Sequence, residues 1–185
     1  MTDLQQLIKN IELWAEDRNL IEGSTPQKQF IKLMEEFGEL CSGVSKNKVD
    51  VVKDSIGDCF VVLTILNAQY RVESTKPNSH QSHLLEPTGH FGAHTLDEAI
   101  LRAAAKIGQM ANPSTRNGDW DVNALVNYLF LIAKMADLDF KECIQHAYDQ
   151  IKNRKGKMID GVFVKEGDLR RVGRSKLLGA SYGNK

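Results

Sequence analysis

The chain has 185 residues, enough for one domain with a sizeable core or for one domain built from two similar halves. Its 24 basic and 24 acidic residues cancel, so it lacks the basic excess of a large nucleic-acid surface, and nucleic acid is not an expected partner. Three widely spaced cysteines (Cys41, Cys59 and Cys143) form no CxxC pair, which argues against a zinc ribbon or a disulfide framework.

The N-terminus lacks the basic-then-apolar layout of a signal peptide, and the longest apolar run, Cys59 to Leu66, is too short to span a bilayer. A cytoplasmic location without membrane contact is therefore expected. Leu4, Leu7, Ile8, Ile11 and Trp14 recur at helical spacing and predict a first helix from Leu4 to Asn19. Thr25 before Pro26 reads as an N-cap with proline in the first turn. The second helix then turns Phe30, Leu33, Met34, Phe37, Leu40 and Cys41 inward and ends near Gly43. A third helix runs from Val51 to Tyr70, with Ile56, Phe60, Leu63 and Leu66 inward.

Residues 71–94 lack helical periodicity and read as a long loop marked by Pro77, Pro87, Gly89 and Gly92. Thr95 with Glu98 is a capping box that opens a fourth helix, and Asn112 to Gly118 is a second loop. A fifth helix spans Asp121 to Ala136. Asp139 with Glu142 has the form of another capping box, for a sixth helix ending near Arg154. Between apolar residues, Asp160-Gly161 signals a short hairpin within 157–165. Residues 166–185 are polar and glycine-rich and read as a flexible tail. The predicted class is all-α, a helical bundle with a short C-terminal hairpin and tail.

Chemistry concentrates on the second and third helices. Glu36 and Glu39 are three residues apart and share a face, beside Glu35; Asp54 and Asp58 are four apart and share another. An antiparallel pair of helices would bring these acids together, where they repel unless a cation lies between them. Hard oxygen ligands select Mg²⁺ or Mn²⁺. The plain alternative is a pair of solvated helix faces. Gly38 and Gly57 weigh against it, because glycine weakens a helix interior by about 1 kcal/mol and suggests a close helix approach.

The stretch Lys32-Leu33-Met34-Glu35-Glu36-Phe37-Gly38-Glu39-Leu40, followed by Asp54-Ser55-Ile56-Gly57-Asp58, closely resembles the short MazG-like nucleoside triphosphate pyrophosphohydrolases of bacteria and phages. Their pattern is E-E-x-x-E-L, a spacer, then an acid shortly before G-D. The closing segment from Tyr148 to Lys165 looks like the family's ending. The resemblance implies a MazG-like helical bundle over residues 1–165 that cleaves (deoxy)nucleoside triphosphates between the α and β phosphates, giving monophosphate and pyrophosphate. It implies Glu36, Glu39 and Asp58 as ligands of Mg²⁺ (or Mn²⁺), with Asp54 in place of the fourth. Many relatives carry a glutamate where Ser55 stands, and here the acid lies one residue earlier. Glu35 would be an outer acid or the base for the attacking water. Family members assemble through paired helical units, so a homo-oligomer, a dimer, is expected.

Lys152, Arg154, Lys155 and Lys157 cluster at the end of the sixth helix, and Lys32 lies one turn before Glu36. A helix C-terminus accounts for one or two such cations, and phosphate binding by Lys32, Lys152, Arg154 and Lys155 accounts for the rest. Trp14, Gln29 and Phe30 are the base-binding candidates by position in the resemblance, with a core role as the alternative for Trp14. His80, His83, His90 and His94 have spacing that permits a zinc site, against the blander reading of an exposed loop or a lid. Arg170, Arg171, Arg174 and Lys176 read as a solvated tail.

Residues 95–136 mirror the active half, 1–70. Ile107, Gly108 and Met110 match Phe37, Gly38 and Leu40, while Ala105, Lys106 and Gln109 stand opposite Glu35, Glu36 and Glu39. Asn123 and Asn127 likewise match Asp54 and Asp58. A tandem duplication whose second copy lost its metal site would make an internal pseudo-dimer, closed by the helix over 139–155. Against this stands the ease of aligning any two amphipathic helices. Two functional readings follow: a nucleotide pyrophosphohydrolase, including a dUTP- or dCTP-selective form, and a non-catalytic helical module that binds nucleotide or a protein.

Overall fold

The computed structural model describes residues 3–73, 84, 86–88, 92–111 and 122–169. Among them are six helices: α1 (Leu4–Asp17), α2 (Pro26–Ser45), α3 (Val49–Glu73), α4 (Leu96–Ala111), α5 (Val122–Met135) and α6 (Phe140–Ile151). An antiparallel hairpin follows, β1 (Gly156–Ile159) with β2 (Val162–Lys165), and then a 3-10 turn at Glu166–Asp168. The described chain is thus mostly helical with one small hairpin. No helix is long and apolar enough to cross a membrane among the described residues.

Local chemistry sets the helix ends. Thr25 accepts from the Lys28 backbone N–H, with Pro26 opening α2. Asp139 accepts from the Glu142 N–H at 2.9 Å, and Thr95 from the Glu98 N–H at 3.2 Å. Neither box closes back on its cap residue. Glu98 accepts from the His94 N–H at 2.9 Å, and Glu142 reaches Lys53 at 3.7 Å. Asn19, Asn47 and Asp137 follow α1, α2 and α5 with positive φ, the left-handed turn that Asn and Asp tolerate.

Helix α3 is the axis of the molecule. It packs against α1, α2, α5 and α6, and every residue from Cys59 to Gln69 is buried. The predicted single inward stripe is therefore too narrow, because neighbours cover this helix all round. It also runs on to Glu73, so the first residues of the expected 71–94 loop are helical. Gly57 permits the contact with α6: a Cβ there would lie 2.3 Å from the Cys143 carbonyl oxygen and 2.7 Å from the Ala147 Cβ. Gly38 does not play the matching role expected of it, since a Cβ there meets nothing within 4 Å. Met34 also departs from expectation. It is 61% exposed beside Ile31 at 68%, because the buried face of α2 follows Phe30, Leu33, Phe37 and Leu40.

Polar contacts fasten the ends of α1 and α6. The Trp14 indole N–H donates to the Ile151 carbonyl at 2.8 Å, and Arg18 donates to the Arg154 carbonyl at 3.0 and 3.1 Å. These donors meet carbonyls at the last residue of α6 and just beyond it. Gln69 donates to the carbonyls of Leu20 and Ile21, and Arg71 pairs with Glu12, so α3 holds both α1 and the chain that leaves it.

The helices associate as two hairpins. α2 pairs with α3 and α4 with α5; α3 meets α5 and α2 meets α4. A two-fold operation that exchanged the hairpins would leave this pattern of contacts unchanged. Asp160 and Gly161 both have positive φ (50° and 75°), the two-residue turn that Asp-Gly predicts. That turn is docked on the start of α2, where the Ser24 hydroxyl donates to the Gly161 carbonyl at 2.8 Å. The Glu166 N–H donates to the Lys155 carbonyl at 2.9 Å, so the chain just after the hairpin is still tied to it. His80, His83 and His90, the 112–118 loop and the tail from Arg170 lie outside the described residues.

Candidate active site

The side chains at 28, 29, 32, 35, 36 and 39 recur at helical spacing on α2, and those at 54, 58, 61, 62 and 65 do so on α3. Both faces line one cavity of about 490 Å³, completed by Trp14, Leu20, the end of α6 and the hairpin. That volume lies within the range of small-molecule sites. All five acids singled out from the sequence (Glu35, Glu36, Glu39, Asp54 and Asp58) line it.

Their electrostatics are uneven. Glu36 is 6% exposed, and its carboxylate lies 2.5 Å from the Lys32 ammonium, which is also 3.1 Å from Glu35. Burial alone would lower the Lys32 pKa, but the bonds to Glu36 and Glu35 outweigh it and the net shift is upward. Asp58 is pushed up to about 7, first by burial and then by the charges of Glu36 and Asp54, against the pull of Arg154 and Lys32. Asp54 is held from α6. Gln150 donates to it at 2.8 Å, and the His146 ring nitrogen lies 3.5 Å away.

Among the described residues, no three His, Cys, Asp or Glu side chains converge as a ready metal cage. Lys32 supplies the counter-charge to Glu35 and Glu36 instead. The chemistry of these side chains nevertheless suits a hard divalent ion: they offer carboxylate oxygens, and the charges of Glu36 and Asp54, which add to burial in raising Asp58, are what a cation would relieve. Glu36, Glu39, Asp54 and Asp58 are the cavity carboxylates that could hold one.

Three further cations line the cavity: Lys28 from α2, Arg154 just beyond α6, and Lys165 from β2. None of them makes an ion pair among the described residues. Cations without an ion pair, beside a cluster of acids, suit a ligand that carries an anion and a metal together.

This chain is similar to a phage protein. Over 74 residues it is 80% identical to an uncharacterized 18.2 kDa protein from the rep-hol intergenic region of Haemophilus phage HP1. The match covers 40% of this chain and 45% of that protein, so it spans under half the length of the phage relative. No family model and no solved structure matches the chain.

Of the phosphate-binding candidates, Lys32 and Arg154 line the cavity, while Lys152 and Lys155 do not. Lys152 instead bonds Asp149 at 2.7 Å, and Lys155 is exposed. The chain turns as it leaves α6, so neighbouring cations point in different directions. Among the base-binding candidates, Gln29 and Trp14 line the cavity, and Phe30 is buried in the core outside it. Trp14 is only partly available, because Arg18 lies 5.0 Å over its ring and Phe163 meets it edge-on at 6.2 Å.

Sequence reasoning missed Lys28, Gln150, Phe163 and Lys165. Lys28 is one turn before Lys32 on α2, and Gln150 is one turn after His146 on α6, so helical spacing relates each to a polar neighbour. Nothing local signals Phe163 or Lys165, because the hairpin reaches the cavity only by packing across the bundle.

Proposed function

We propose that this cavity hydrolyses (deoxy)nucleoside triphosphates to a nucleoside monophosphate and pyrophosphate in a metal-dependent reaction, as the resemblance to MazG-like pyrophosphohydrolases implies. One observation carries the reading: five carboxylates and three unpaired cations share one cavity that also has an apolar lining. Such a mixture suits a metal-bound triphosphate joined to a flat apolar base, and poorly suits a protein partner.

Glu36, Glu39 and Asp58 would hold Mg²⁺ (or Mn²⁺), which when bound supplies charge neutralisation and a more acidic water. Arg154, Lys28 and Lys165 hold phosphate oxygens and stabilise the charge that builds on the leaving pyrophosphate. Lys32, which lies between Glu35 and Glu36 on the cavity wall, would be a fourth phosphate contact. Glu35, more exposed than Glu36 and without the same burial, accepts the proton of the attacking water. Gln150 and His146 orient Asp54, the displaced fourth acid. The hairpin α4–α5 stands in this scheme as a copy of α2–α3 without acids at the positions matched to the ligands, and the pairing of the four helices supports an internal pseudo-dimer.

The test is product analysis of the purified chain with each NTP and dNTP, in Mg²⁺ and in Mn²⁺, beside Glu39→Gln. Monophosphate and pyrophosphate that vanish in the variant are the expected result. No turnover of any nucleotide with either ion would leave a binding module as the reading.

A further inference from the structure

Gln29 is a glutamine with 6% exposure whose side chain lines the cavity, and its orientation is fixed by a chain of hydrogen bonds. The Gly161 carbonyl, in the hairpin turn, can only accept. The Ser24 hydroxyl, 2.8 Å away, must therefore give it its single proton. The lone pairs of Ser24 Oγ are then left to face Gln29, and only the NH₂ end of the amide can meet them, at 3.0 Å. Gln29 Oε1 remains as an acceptor without a partner among the described residues. The same cavity is lined by Leu20, Val62, Ile65 and Phe163, which offer no donor side chain to it.

From this we infer that Ser24 and the Gly161 carbonyl set the base specificity of the site, by presenting Gln29 Oε1 as a buried acceptor for the exocyclic amino group of a nucleobase. This inference rests on the cavity taking a nucleotide, as proposed above. An amino group projects from the ring and reaches a single acceptor without bringing a carbonyl alongside. The imide N–H of uracil or thymine lies between two carbonyls, whose lone pairs would face the same buried oxygen. A site built to bond a donor rejects the analogue that lacks it, because its own polar atom is then left unpaired. Cytosine, adenine and guanine, which carry such an amino group, are favoured over uracil and thymine on this geometry. Gln29 is the residue that touches the base, and Ser24 is a positioning residue that acts through it.

The experiment is isothermal titration of the full chain with monophosphates, without metal, so that catalysis plays no part. The pairs are dCMP against dUMP, and dAMP against its 6-deamino purine counterpart. Binding of the amino member about tenfold tighter in each pair is expected. Ser24→Ala, which frees the amide to turn, brings both ratios to within about twofold of unity, and Ser24→Thr, which keeps the hydroxyl, restores them. Equal affinities within the wild-type pairs, or no binding of any monophosphate, would overturn the inference. An undiminished ratio in Ser24→Ala with an unchanged melting temperature would overturn the role of Ser24. Discrimination without triphosphate turnover would sink the hydrolase reading and leave this one standing; turnover without discrimination would do the reverse.

Discussion

Helices α2–α3 and α4–α5 form hairpins with the same apolar spacing, yet the polar positions they share meet different surroundings. In the proposed duplication, Glu36 on α2 is matched by Lys106 on α4, and Asp58 on α3 by Asn127 on α5. Asp58 is raised to about 7 by burial first and by the charges of Glu36 and Asp54 second. Asn127 accepts from the Thr88 backbone N–H at 2.8 Å and donates to the Asn123 carbonyl at 2.8 Å, so it fastens a passing segment. One hairpin therefore concentrates unfavourable charge, and the other turns the equivalent positions to structural hydrogen bonds. Like charges gathered round the half-buried Asp58 destabilise the ligand-free protein, and the cation proposed above would relieve them.

The difference can be broken or sharpened by matched changes. The largest expected effect is on turnover. Glu36→Gln should lower nucleotide hydrolysis roughly 100-fold or more, whereas Lys106→Gln should change it by less than about threefold. Steady-state rates for the two variants check this, and equal losses would erase the distinction between the hairpins. Next come the glycines. Gly57→Ala should destabilise by about 2–3 kcal/mol, because its Cβ would meet the Cys143 carbonyl oxygen. Gly108→Ala, with nothing within 4 Å, should stabilise by about 0.5–1 kcal/mol. Urea unfolding of both variants gives the comparison.

A smaller effect follows the titration of Asp58. Its pKa is raised in the fold, so the unfolded state ionises first as the pH rises. Stability from this group is full below about 4 and is lost as the pH climbs towards about 7. Asp58→Asn should then stabilise the metal-free protein by about 1–2 kcal/mol at pH 8 and by much less at pH 4, read from melting curves at the two pH values. The smallest effect is expected at the matching position: Asn127→Ala should cost about 1 kcal/mol with no such pH dependence.

The acids were legible from the sequence because helical spacing is a local property. Glu36 with Glu39, and Asp54 with Asp58, could be placed on two faces before any packing was known. The Asp-Gly turn was equally legible, since positive φ at both of its central positions is a matter of residue type. Phe30 and Met34 show where that reasoning stops. Both fit an apolar stripe, but one is buried away from the cavity and the other stands in the open. Periodicity gives the direction of a side chain around its helix and says nothing of what lies opposite. Lys152 and Lys155 fail for a similar reason, because the regular spacing ends with α6.

The sequence by itself determined the helices, their caps, the hairpin and the set of acids, all of which depend on contacts a few residues apart. Only the tertiary structure decided that the hairpin turn rests on Ser24, that Lys165 and Phe163 complete the wall of the cavity, and that Lys32 is shared between Glu35 and Glu36. Each of these, Lys32 apart, joins residues more than a hundred positions apart, a separation no local pattern encodes. The sharing of Lys32 is short in sequence, but which carboxylate it favours depends on burial, and burial is set by the whole bundle.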